Sequence, residues 1–183
     1  MRKLKLQMQI TVDGFVAGPQ GQLDWMTFDM DEKLLAFINQ LTDSSDTILL
    51  GRGMTEGFVN YWEQVKPDSP EFEFARKMVD TPKIVFSKTV TSVEGKNVTV
   101  ENGTLVEAMA QLKKRSGKDL IVYGGANFVS SLIEYGLIDE LHLFVNPIAI
   151  GEGLRIFDAR TPLKLTASTA YSSGIVVNRY EPA

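Results

Sequence analysis

The chain has 183 residues, 44% of them hydrophobic, with 19 basic against 23 acidic side chains and a net charge of −4. That length suits one domain, 1–183, with a sizeable core. The mild acidity, without Lys/Arg clusters interleaved with aromatics, argues against nucleic acid and anionic membranes as partners, and the absence of cysteine excludes disulfides, thiol nucleophiles and Cys-ligated zinc.

The amino-terminal stretch MRKLKLQMQITVDG has a basic start but no continuous apolar core, and no apolar run is long enough to span a bilayer, so a soluble cytoplasmic protein is expected. Leu4 to Val12 alternates Leu4, Leu6, Met8, Ile10 and Val12 with polar residues, which predicts a strand with one buried face. It ends at Asp13-Gly14. The following FVAGPQGQLDWM mixes glycine and proline with Phe15, Leu23, Trp25 and Met26. This reads either as a lid over a ligand or as an irregular loop that tucks its aromatics into the core.

Asp29 with Glu32 three residues later predicts a helix start, and Leu34, Leu35, Phe37, Ile38 and Leu41 give the helix one apolar stripe. Asp46 to Leu50 is a short buried strand that runs into Gly51-Arg52-Gly53-Met54-Thr55, a glycine turn opening a second helix. Asn60 to Pro70 reads as a polar connection, with Tyr61-Trp62 packed on the body of the domain. Ser69-Pro70-Glu71 then predicts an N-cap with proline in the first helical position, ahead of Phe72, Ala75, Met78 and Val79. Lys83 to Phe86 is a third buried strand, ending at Ser87-Lys88-Thr89, where a hydroxyl and an ammonium could meet a phosphate or simply be solvated.

Val98 and Val100 mark another strand. Thr104 caps a helix with Leu105, Ala108, Met109 and Leu112 on one face and Lys113, Lys114 and Arg115 near its end. Leu120 to Tyr123 is a buried strand that meets Gly124-Gly125, after which Val129, Leu132 and Ile133 form the inward face of a helix closed by Gly136. Two adjacent glycines at a strand end let backbone approach a ligand closely, and the next helix points unpaired N–H groups and its positive dipole end at the same spot; an ordinary tight turn would use the same residues. The repeat of this strand, glycine, helix theme at Gly51 favours one ligand shared by both junctions. Glu140 to Asn146 is a further strand, and Leu163 to Ser168 with Ile175 to Tyr180 form an antiparallel pair. Strands separated by helices early and by turns late predict an α/β fold of three layers, with a mostly parallel sheet and an antiparallel carboxyl-terminal edge. His142, the only histidine, lies mid-strand and reads as structural.

Taken in order, Gln9 to Gly14 (QITVDG), Leu23 to Trp25 (LDW), Ile48 to Gly53 (ILLGRG), Ile84 to Lys88 (IVFSK) and Val122 to Gly153 (VYGGANFVSSLIEYGLIDELHLFVNPIAIGEG) resemble the dihydrofolate reductase-like superfamily. The resemblance is greatest to the reductase domain of the riboflavin-biosynthesis deaminase-reductase and its stand-alone relatives. It implies a homodimeric oxidoreductase that uses NADPH on a small heteroaromatic or carbonyl-type substrate, of a riboflavin-pathway or pterin-like kind. Gly51, Arg52 and Thr55 would then lie against the pyrophosphate and 2′-phosphate side, Ser87 and Lys88 near the adenosine 2′-phosphate, and Gly124, Gly125, Ala126 and Asn127 against the pyrophosphate. Asp13, Asp24 and Trp25 remain as polar and stacking contacts for the substrate. Asp13 admits two readings, a group that orients or protonates a ring nitrogen or a cap on the turn at Gly14. The sequence departs from the family where Phe15 replaces a basic residue and Tyr123 a glutamate, and where Leu34, Leu35, Phe37 and Ile38 occupy the helix that carries the pterin-binding carboxylate of dihydrofolate reductases. These departures point to a flatter, less charged substrate, or to a nucleotide-binding module without turnover.

Overall fold

The computed structural model describes residues 1–27 and 30–183. Its elements are β1 (Leu4–Thr11), α1 (Glu32–Asp43), β2 (Ser45–Gly51), α2 (Arg52–Gln64), α3 (Phe72–Asp80), β3 (Lys83–Phe86), β4 (Val98–Glu101), α4 (Leu105–Lys114), β5 (Asp119–Val122), α5 (Ala126–Glu134), β6 (Glu140–Asn146), β7 (Leu163–Ala170) and β8 (Val176–Pro182). They build one eight-stranded sheet of order β4-β3-β2-β5-β1-β6-β8-β7, parallel from β4 to β6 and antiparallel over β6-β8-β7. The three-layer arrangement and the antiparallel edge are those expected from the sequence.

One sheet face carries Leu4, Leu6, Met8, Ile10, Leu120 and Val122, covered by Met109 and Leu112 of α4 and Val129 and Leu132 of α5. On the other face, Ile48, Leu50, Val85 and Ile121 meet Leu41 of α1 and Met78 of α3, with Met54, Phe58 and Trp62 of α2 against them. Connections that step leftward from β1 to β2 to β3 thus use one face, and those that step rightward from β4 to β5 to β6 use the other, as right-handed crossovers demand.

Several local expectations change in the structure. The polar residues of β1 do not face water: Lys5 is buried and bonds to Ser44 Oγ and Asp119, because β1 is a central strand with α1 lying over its second face. Helix α1 is capped by Asp31, whose side chain accepts from the Leu34 amide at 2.8 Å; Asp29, the expected start, lies outside the described residues. Leu35 falls off the apolar stripe and is exposed. Residues 60–64 continue α2 instead of forming a connection, because Trp62 extends the helix's apolar face onto Phe58 and Phe74. Around Ser69-Pro70 the chain makes a turn, with the Phe72 amide on the Ser69 carbonyl, and α3 begins only at Phe72. Gly136, with φ +62, closes α5 as expected: its own amide donates to Ile133 O and that of Leu137 to Leu132 O.

Lys83 opens β3 with its side chain inside, 2% exposed, and its ammonium donates to the carbonyls of Met78, Val79 and Thr81 at 2.8 to 2.9 Å. These are the last carbonyls of α3 and the residue after it, groups without a helical partner. Lys83→Met should therefore cost about 1–3 kcal/mol in urea unfolding, because the carbonyls stay buried without a donor. Burial also pushes the ammonium down to about 8 from 10.5. Between those values the unfolded chain holds a proton that the folded chain has released, so this group makes stability rise with pH across the window. The rise should be absent from the Lys83→Met protein.

Candidate functional site

Strands β2 and β5 lie side by side, and their chain connections leave in opposite directions: β2 leads through α2 and α3 outward to β3, while β5 leads through α5 past β1 to β6. Such a reversal of direction opens a crevice beyond the carboxyl ends of the two strands. Both glycine junctions stand there. Gly51 is the N-cap of α2 and Gly125 the N-cap of α5, so neither helix has a side-chain cap. With α2 on one face of the sheet and α5 on the other, two helix starts with unsatisfied N–H groups flank the crevice from both sides.

The junctions also hold each other in place. A Cβ on Gly51 would lie 2.6 Å from Phe128 Cβ of α5, and a Cβ on Gly124 would lie 2.8 Å from Met54 Sδ of α2. Gly124 has φ +153, and the Gly124–Gly125 peptide is cis. Phe128 stacks further on Phe86 at the end of β3, with centroids 5.2 Å apart.

Arg52 and Asn127 occupy the first turns of α2 and α5 and are exposed; Ala126 is half-buried. Arg52 and Lys88 make no hydrogen bond or ion pair with another described residue, which leaves two cations near the carboxyl ends of β2 and β3. Thr55 does not join them at the surface: it is fully buried and its hydroxyl donates to Gly51 O at 2.9 Å, inside the first turn of α2. Ser87 is buried too, its Oγ accepting from the amides of Thr89 and Val90 at 3.2 Å and so shaping the loop that carries Lys88.

On the β1 side, the Asp13 carboxylate accepts from Thr11 Oγ1 at 2.6 Å, from the Gly151 amide at 2.8 Å and from the Ile150 amide at 3.1 Å. The Thr11 hydroxyl and those amides hold its carboxyl below the usual range, so it stays ionised as a clamp between two loops. The same loops share a short ladder, Val16 N to Leu154 O and Leu154 N to Ala17 O, and Arg155 lies 4.4 Å from the centre of the Phe15 ring. Asp24 is exposed; Trp25 is half-buried with its Nε1 fully enclosed and without a partner. Tyr123 stacks on Phe58 at 5.9 Å and shares a hydrogen bond with Thr42, and burial pushes its hydroxyl up to about 12, which keeps it protonated.

His142 is buried beside Phe37, its Nε2 3.3 Å from Glu140. Burial pushes its imidazolium down against the pull of Glu140, so the ring is neutral. Glu140 joins Lys3, Arg179 and His142; burial alone would raise its carboxyl, but those partners hold it below its ordinary range. A depression of about 520 Å³ lies at the opposite, amino end of the strands between α1 and α3, among Asp43, Asp46, Arg76 and Lys118, away from the glycine crevice. Among the described residues no group of His or acidic side chains could hold a metal ion. The sequence reading missed Met54 and Phe128, which fit the glycines, and Gln9 and Asn146, whose amides pair at 2.7 Å. Of these only Gln9 carried a sequence signal, the polar alternation of β1, which pointed to water.

Comparison with known proteins agrees with this architecture. The profile of the family described as the RibD C-terminal domain matches residues 2–177. Uncharacterized protein YyaP of Bacillus subtilis is 33% identical over 96% of this chain and 92% of its own length. A putative riboflavin biosynthesis protein from Shewanella sp. PV-4 superposes with a TM-score of 0.74 at 22% identity, covering 100% of this chain and 99% of that one. Dihydrofolate reductase from Enterococcus faecalis, in complex with NADP(H), superposes with 0.63 at 17% identity over 98% and 96%. These two likenesses establish a dihydrofolate reductase-like fold.

Two outcomes follow from the geometry. Gly51→Ala should destabilise the protein by about 1–3 kcal/mol, since β2 must move away from α5. Asp13→Ala should speed hydrogen exchange at the Ile150 and Gly151 amides. It should also reduce the acid sensitivity of the loops, because a carboxyl held low contributes stability above its ordinary value of 3.8 and loses it as pH falls through the lowered one.

Proposed function

The chain belongs to the RibD C-terminal domain family, and from that premise we propose that it is an NADPH-dependent reductase of a small heteroaromatic or carbonyl-type compound. The observation that carries the reading is the pair of glycine-capped helix starts, α2 and α5, converging from opposite faces on one crevice. Bare N–H groups from two helices suit a pyrophosphate, and the absence of a Cβ lets it come close to the backbone. Gly51, Gly124, Gly125, Ala126 and Asn127 would hold that group. Arg52 and Lys88, both without other partners, would meet the 2′-phosphate, and Ser87 would set the loop that presents Lys88. The NADP(H) bound by the Enterococcus faecalis reductase of the same fold supports the choice of nucleotide. When bound, NADPH would supply a hydride.

The chain's own part is to hold the acceptor against the nicotinamide and to exclude water, for which Trp25 and the clamped loops beside Asp13 are placed. The acceptor is of a riboflavin-pathway or pterin-like kind, and neither Phe15 nor Tyr123 offers it a charge. Since Asp13 is committed to Thr11, Ile150 and Gly151, a proton for the acceptor comes from water or from the substrate's own exchangeable groups. That commitment is also what favours the second reading, a nucleotide-binding module without turnover. No helix among the described residues is long and apolar enough to cross a membrane, in keeping with a cytoplasmic enzyme; a homodimer is the assembly we expect from the family.

Arg52→Ala and Lys88→Ala should each raise the Kd for NADPH by about tenfold, the size of one charge-assisted contact, and leave NADH nearly unchanged in calorimetric titrations. Equal losses for both nucleotides would refute the 2′-phosphate assignment. Failure of the wild type to bind either one would refute the cofactor reading. Tight NADPH binding without oxidation against pterins, pyrimidines and simple carbonyls would favour the module.

A further inference from the structure

Gln9 stands near the carboxyl end of β1, on the sheet face that also carries Tyr123, and it is flanked by β5 on one side and β6 on the other. Its register partner on β6 is Phe144, and two residues further on Thr11 pairs with Asn146. The Asn146 amide is oriented without ambiguity by two backbone groups: Nδ2 donates to Phe144 O at 3.0 Å, and Oδ1 accepts from the Thr27 amide. A carbonyl can only accept and an amide N–H can only donate, so the side chain cannot be turned over. Asn146 is 1% exposed, which confines it to this arrangement.

The orientation passes to Gln9. Because Asn146 offers Nδ2, the atom of Gln9 that faces it at 2.7 Å must be the acceptor Oε1. Asn146 thereby occupies Oε1 and leaves Nε2 free at the carboxyl end of β1, where the Gly124–Gly125 turn begins two register steps past the pairing of Leu6 with Val122. Met8, the preceding residue on the opposite face, brings β1 up to the same turn, its Cε 3.9 Å from the position of a Cβ on Gly124. Nε2 has no hydrogen-bond partner, yet it is not sealed among the enclosed orphan atoms and so reaches an accessible surface. A neutral N–H donor at the carboxyl end of β1 is thus left over. The segment that carries Trp25 is tied to the same Asn146, whose Oδ1 accepts from the Thr27 amide at 3.4 Å.

We propose that Gln9 is a specificity-determining residue for the acceptor, donating from Nε2 to a carbonyl oxygen of a neutral, planar ring, with Asn146 as the positioning residue that aims it. The inference rests on the reductase reading of this crevice. A neutral donor favours a ring carbonyl over an amine or a protonated ring nitrogen, because an amino group would face N–H with N–H and leave both unpaired. A glutamine held at one end also loses little rotamer freedom when it binds, so the contact discriminates by direction rather than by charge.

A matched pair of probes tests this: lumazine, with carbonyls at positions 2 and 4 of a pteridine ring, and 2,4-diaminopteridine, with amines in their place. Calorimetric titration at neutral pH should show the wild type preferring lumazine by about tenfold, the difference one hydrogen bond makes. Gln9→Met, of similar size without a donor, should abolish the preference. Gln9→Glu keeps an oxygen for Asn146 but presents an acceptor to the ring, so it should reverse the preference toward the diamine. A purely structural role for Gln9 would not produce that reversal. The same ratio in all three proteins, or no lumazine binding by the wild type, overturns the proposal. If Gln9→Glu does not fold, Gln9→Met decides alone. NADPH titrated into the same samples should bind all of them alike. Its failure to bind any of them would sink the cofactor reading, while the probe ratio would still report on Gln9.

Discussion

Four residues across the β2/β5 boundary set the geometry on which the rest of the molecule depends. Phe128 of α5 closes on Gly51, and Met54 of α2 closes on Gly124, each at a separation that a Cβ would violate. The contacts are reciprocal: each helix, rooted at one strand, packs on the glycine at the end of the other. Interiors are close-packed and resist small displacements, so this exchange holds the two helix starts in register with each other. At Gly51 the missing side chain that allows the contact also leaves α2 without a cap; at the other junction Gly124 takes the contact and Gly125 leaves α5 uncapped.

A second organising element is the charged knot on β6. Glu140 meets Lys3, His142 and Arg179, and Asp139 beside it accepts from the Leu4 amide and from Lys113 of α4. A buried ion pair returns little net stability after its desolvation cost, but an unpaired one is expensive, so the knot penalises wrong pairings of β1, β6 and β8 more than it strengthens the right one. Asp139 and Glu140 thus act as register markers for the centre of the sheet.

How much of this was legible beforehand follows from which interactions are local. The strand, glycine, helix junctions were readable because turn chemistry and helix periodicity sit within ten residues of each other. So was the antiparallel edge. The polar side of β1 was misread because alternation reveals that two faces differ, not what covers them; only the placement of β1 between β5 and β6 puts Lys5, Gln7 and Gln9 indoors. The resemblance set Thr55 against the cofactor's phosphates; the structure buries it and turns its hydroxyl back on the Gly51 carbonyl four residues earlier. Gln9 and Asn146, or Asp13 and Gly151, are more than 130 residues apart in the chain, and nothing in either local pattern names the other. The site residues that sequence reading finds are those that carry their own punctuation.

The ladder between residues 16–17 and Leu154, with the Asp13 clamp beneath it, has one more consequence. It divides the loop after β1 into a fixed stem and a free tip: Gly18 and Gln22 close a small turn of their own, and Pro19 to Asp24 are exposed. An inserted segment at 19–21 would lengthen the tip and leave the stem untouched. The same insertion between Ile148 and Leu154 would pull the Ile150 and Gly151 amides off Asp13 and unseat both loops. The two walls beside the crevice therefore differ in how much change they can absorb, with new reach open to one and closed to the other.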